Sequence, residues 1–154
     1  GLGILVIAAT MLATHLKARE QTVATSPTTV VVYKSPTCGC CMKWVEHLQQ
    51  SGLPVEVHDE PDMALVKRRL GVPASLESCH TATIGGYVIE GHVPAEDIKR
   101  LLTQRPQAKG LAVPDMPVGS PGMEMGDRVD PYDVLIFRDE LPSAVSARHG
   151  ATSP

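Results

Sequence analysis

A β-branched run, Val30-Val31-Val32-Tyr33, is broken by Ser35-Pro36-Thr37 and followed at once by Cys38-Gly39-Cys40-Cys41. The next segment, Cys41–Gln50, has apolar residues at Cys41, Trp44, Val45 and Leu48, which is helical spacing, and Gly52 stands where a C-cap should. This strand, turn and helix, with cysteines on the turn, constrains the fold more than any other feature of the chain. A short, continuous β-branched run marks a buried strand, and a buried strand feeding a helix belongs to a layered α/β architecture.

The following segments extend that plan. Pro54–His58 alternates, with Val55 and Val57 on one face, and reads as a second strand. Pro61 then stands at a first helical position, and Met63, Leu65, Val66 and Leu70 form the apolar stripe of a second helix that Gly71 closes. Lys67, Arg68 and Arg69 read as its solvated face. Thr81–Ile84 and Tyr87–Glu90 flank Gly85-Gly86, a hairpin signal. Pro94 opens a third helix that runs through Leu102, with Ile98, Leu101 and Leu102 apolar. The order β-α-β-α-β-β-α, with cysteines on the first strand-to-helix turn, predicts a thioredoxin-like α/β sandwich. Beyond Arg105 the chain reads as an irregular extension rich in Gly, Pro and Met, with one late strand at Tyr132–Phe137 and a frayed tail from Ser143. The expected organisation is residues 1–28 as leader and linker, 29–138 as one domain, and 139–154 as flexible tail.

The leader itself is Leu2–Thr14, an uninterrupted apolar run followed by the polar, cation-bearing stretch His15–Gln21. It is short for a membrane span and the right length for the apolar region of a signal peptide, with Ala24 as a candidate cleavage position. The expectation is export to the periplasm or cell envelope, with membrane attachment only through this segment if it is uncleaved. A net charge of −3 and an aromatic content of 3% give neither a basic field nor a stacking surface, which argues against nucleic acid as a partner.

Three of the four cysteines lie within four residues. A disulfide stabilises more when it closes a longer loop, so this cluster is poor scaffolding and points to chemistry instead. Cys38 and Cys41 form a C-x-x-C pair at a helix N-terminus, where the dipole and unpaired N–H groups favour thiolate. On that spacing alone the pair suits a redox dithiol. Cys40 changes the balance, because a third thiol invites wrong pairings in an oxidoreductase but adds a bridging ligand to a metal site. In the expected topology, Cys79-His80-Thr81 at the entry to the third strand faces the same turn and brings a fourth sulfur. Thiolates select Cu(I), Zn(II) or iron–sulfur centres. Adjacent Cys40 and Cys41 rarely aim both sulfurs at a single tetrahedral ion, so Zn(II) is the weaker fit and Cu(I), which tolerates bridging, the stronger.

Several motifs in order resemble a bacterial metal-binding family, once of unknown function, that includes CopG-type copper-resistance proteins. They are Thr37-Cys38-Gly39-Cys40-Cys41, Trp44, Ser78-Cys79-His80-Thr81-Ala82, Gly86-Tyr87, Glu90-Gly91-His92-Val93-Pro94 and Pro114–Glu124. The resemblance covers roughly Val30 to Phe137. It implies a thioredoxin-like fold, a periplasmic setting and a multicopper Cu(I) cluster on Cys38, Cys40, Cys41 and Cys79. The chain thus reads as a copper-binding protein for resistance or homeostasis that sequesters or transfers Cu(I), with other envelope copper-handling proteins as candidate partners, and the reading leans away from an enzyme while leaving redox activity open. The alternative is a thiol-disulfide or copper oxidoreductase using Cys38 and Cys41. Around the cysteines, His80 and His92 read as supporting groups, Met116 and Met123 as a soft-ligand lid, and His47 and His58 as solvent-facing.

Overall fold

The computed structural model describes residues 28–139 and 143–150; the expected leader lies outside them. Among the described residues there are seven strands, three α-helices and one short 3-10 turn. The strands are β1 (Val30–Lys34), β2 (Val55–Asp59), β3 (His80–Ile84), β4 (Tyr87–Gly91), β5 (Gly110–Val113), β6 (Tyr132–Phe137) and β7 (Ala144–His149). The helices are α1 (Gly39–Gln50), α2 (Met63–Leu70) and α3 (Ala95–Gln104). All strands join one mixed sheet in the order β2-β1-β3-β4-β5-β6-β7. β1 runs parallel to β2 and antiparallel to β3, and β4 is antiparallel to β3 and parallel to β5. No helix among these residues is long and apolar enough to cross a membrane.

Alternation along the strands supplies two cores. Val30 and Val32 of β1, Ala82 and Ile84 of β3 and Ile89 of β4 pack with Trp44, Val45 and Leu48 of α1 and Ile98 and Leu101 of α3. Val88, Ala112 and Phe137 face the other way, onto Val72, Leu76 and the partly buried Leu70 at the end of α2. Helices α1 and α3 therefore cover one face of the sheet, and α2 with the 3-10 turn covers the other.

The sheet is larger than expected. Gly110–Val113, read as irregular, is a fully buried strand because β4 and β6 flank it on both sides. Ala144–His149, within the stretch read as a frayed tail, pairs with β6 and ends with His149 stacked on Tyr132. α2 begins later than expected, because the Asp62 side chain accepts the Leu65 N–H and caps it. Its stripe is also rotated. Leu65 is 53% exposed, whereas Lys67, expected in solvent, is 4% exposed. Met63, Val66, Lys67 and Leu70 hold the spacing of one helix face, so Lys67 occupies a core-facing position. Val57 is exposed on β2, an edge strand of the sheet.

Candidate metal centre

α1 starts at Gly39, two residues earlier than the apolar period shows, so Cys38 is its N-cap and Cys40 and Cys41 lie in its first turn. No side chain caps this end and its first turn carries no acidic residue, so the positive end of the helix is left to the sulfurs. Trp44, Val45 and Leu48 fasten the helix to the sheet, and the Trp44 indole donates to the Val93 carbonyl at 2.8 Å. Cys79 arrives from the segment entering β3. The four cysteine sulfurs lie within 4.8 Å of one another.

Cys38 and Cys41 are joined as a disulfide, with Cα atoms 5.4 Å apart, while Cys40 and Cys79 are free. The tight cysteine spacing predicts four free thiolates at rest, and the disulfide departs from that expectation. The first turn of a helix brings residues three apart face to face, and that geometry suits a bond between the pair as well as a shared ion. The Cys40 sulfur stands 3.6 Å from that of Cys38. Burial pushes the Cys79 thiol up to about 12, with Cys40 beside it acting in the same direction. A metal binding at Cys79 must therefore displace a proton.

Two histidines bracket Cys79. Its sulfur lies 3.1 Å from His80 Nδ1 and 3.1 Å from His92 Nε2. His92 Nδ1 donates to the Pro121 carbonyl at 2.8 Å, so a neutral His92 turns its Nε2 lone pair toward the sulfur. Both rings are fully buried. Burial depresses both imidazoles, His80 well below its ordinary value, where His92 and Lys67 add to the effect. His80 packs against Trp44 with ring centroids 4.3 Å apart, and its Nε2 has no hydrogen-bond partner. Cys79, His80 and His92 thus form a second donor set that shares one sulfur with the first.

The C-terminal extension closes one side. Gly122 has φ +87°, and a Cβ there would meet the Trp44 N at 2.7 Å and the Cys40 carbonyl at 3.0 Å. The loop therefore lies on the helix turn that carries the cysteines, seated by a glycine. Met123 beside it is half-buried, and Met116 is 40% exposed. His47, expected in solvent, accepts the Ala95 N–H at the start of α3. His58 stacks on Tyr33 at the sheet edge.

Glu90 and Lys67, neither of which carries a functional signal in its local sequence, lie behind the site. Glu90 is fully buried and Lys67 Nζ meets it at 2.5 Å. Burial pushes the Glu90 carboxyl up, against the pull of Lys67, Thr81 and the Ser78 amide. The signal in the sequence for burying Lys67 was the helical register of Met63, Val66, Lys67 and Leu70.

Residues 76–123 match the family described as "Protein of unknown function, DUF411". No curated protein matches the chain. Among solved structures, a copper resistance protein CopG in its form 2 is 48% identical, with a TM-score of 0.77, over 80% of this chain and 99% of that one. The same protein in its form 1 is also 48% identical, with a TM-score of 0.77, over 82% and 100%.

Proposed function

This chain belongs to the family of CopG-type copper-resistance proteins, and from that premise we propose that it holds copper as Cu(I), on Cys38, Cys40, Cys41 and Cys79, in a multicopper thiolate cluster. The observation that carries this reading is the convergence of four sulfurs within 4.8 Å from two distant segments. Soft thiolates suit Cu(I), and bridging sulfurs resolve the crowding of Cys40 and Cys41 that disfavours a single tetrahedral Zn(II). The cluster needs the reduced chain, because a disulfide removes two of the four ligands. His80 and His92 orient the Cys79 sulfur, and Met123 and Met116 belong to the loop that shields the site. The order β2-β1-β3-β4, with α1 leaving β1 at the cysteines, supports reading this part as a thioredoxin-like unit. The Leu2–Thr14 run supports a periplasmic or envelope setting, where the protein buffers copper or passes it to other copper-handling proteins.

Anaerobic Cu(I) titration of the reduced protein tests the cluster. Several equivalents are expected, with stoichiometry falling in a Cys40→Ser variant; saturation at one equivalent would defeat it. A second reading, a thiol-disulfide or copper oxidoreductase, is favoured by one observation, the Cys38–Cys41 disulfide. Strong disulfide-reductase turnover by a chain that retains no copper would favour that reading over the first.

A further inference from the structure

Cys79 is the one sulfur of the cluster that α1 does not carry, and it precedes a strand rather than lying in one. The ladder between β1 and β3 ends at Lys34 opposite His80, so the Ser78 N–H falls beyond it. That N–H donates to Glu90 Oε1 at 2.6 Å. The other carboxylate oxygen, Oε2, accepts from the Thr81 hydroxyl at 2.6 Å. Lys67 Nζ bridges the assembly, reaching Glu90 Oε1 at 2.5 Å and Thr81 Oγ1 at 3.0 Å. Glu90 thus spends both oxygens on residues 78 and 81, which flank Cys79 and His80.

The same segment is held from a second direction. Gly91 has φ +72°, and a Cβ there would stand 2.7 Å from the Ser78 Cβ and Oγ. Ser78 is therefore pressed directly on the backbone beside Glu90. A buried ion pair adds little net stability compared with well-packed apolar groups, because desolvation offsets the attraction. Its value lies in direction, since a carboxylate with two fixed donors permits one placement of the chain between them.

We infer that Glu90, with Lys67 as its counter-charge, is the positioning residue for Cys79, holding the fourth sulfur against the three on α1 from the opposite face of the sheet. This rests on the thiolate-site reading above. Groups behind a metal ligand act on affinity without touching the ion, and losing one costs roughly 10–100-fold.

The test compares Cu(I) retention against a competing chelator for the reduced full-length chain, Glu90→Gln, Cys79→Ser and the double variant, with urea midpoints alongside. Glu90→Gln is expected to weaken retention by about 10-fold or more. Added to Cys79→Ser it should change retention little, because the sulfur it positions is gone. Equal losses in both backgrounds, or no loss, would overturn the inference. A second arm needs no copper: the alkylation rate of each cysteine in the reduced, metal-free protein, read by peptide mass. Glu90→Gln should change the Cys79 rate several-fold and leave Cys40 as it was; parallel changes, or none, would overturn the inference. A wild-type chain that binds no Cu(I) would defeat the proposed function while this arm still decides the positioning. If Glu90→Gln does not fold, Lys67→Met combined with Glu90→Gln removes both charges and carries the same two readouts.

Discussion

At the scale of the residue, the site depends on groups that touch no sulfur. Gly122 is one, because its positive φ and its seat on Cys40 and Trp44 leave no room for a side chain. Gly122→Ala is expected to cost about 1–2 kcal/mol from backbone strain alone, seen as a lower urea midpoint, and to speed copper loss to a chelator as the loop lifts. An unchanged midpoint would mean the loop is not held there. His80 and His92 differ, because their rings lie against the Cys79 sulfur. Both are buried with imidazoles depressed below their ordinary value. The unfolded chain takes up protons at these positions below about pH 6.5, whereas the folded chain takes them up only at lower pH. Their contribution to the metal-free protein is therefore unchanged above that pH and turns against folding below it, by up to about 1.4 kcal/mol per pH unit for each group. Urea midpoints of the reduced, metal-free protein between pH 7.5 and 5 should fall; a flat profile would contradict this account.

At the scale of the element, α1 carries three sulfurs at its free N-terminus and is fixed by its opposite face. Leu48 is fully buried between α1 and the sheet. Leu48→Ala should cost about 2–5 kcal/mol by removing apolar contacts and leaving a cavity. It lies two turns from Cys41, so copper stoichiometry at low temperature should hold while the unfolding midpoint drops. Stoichiometry lost in step with stability would show that the whole helix, not its first turn alone, frames the site. α2 makes the complementary contribution from the other face, through Lys67 rather than through any ligand.

At the scale of the whole molecule, the sulfur site lies where two layers and a loop meet. α1 lies on one face of the sheet, the Lys67–Glu90 pair on the other, and the Pro121–Gly122 loop closes the side. The disulfide makes the proposed site sensitive to redox state, since a cysteine serves as a metal ligand only as a thiolate. Copper bound per chain should rise when the protein is treated anaerobically with a phosphine reductant before loading. Equal copper in oxidised and reduced samples would place the bound metal on Cys40, Cys79 and the histidines instead.

Local pattern was enough for the first strands, the three helices and the four cysteines, because period and turn chemistry are written into neighbouring residues. The resemblance through Cys38, Cys79, His80 and Glu90-Gly91-His92 carried the family. Three features needed the tertiary structure. β5 and β7 are short segments of weak pattern that become strands because β4 and β6 offer unpaired edges. Lys67 looked like one of three solvated cations until Glu90, brought beside it by the sheet, gave its charge a buried partner. The C-x-x-C-type turn was visible from the start, but its pairing was not. Whether two of its sulfurs bond to each other or share a metal depends on the electrons present and on where β3 places Cys79, and neither is a property of local sequence.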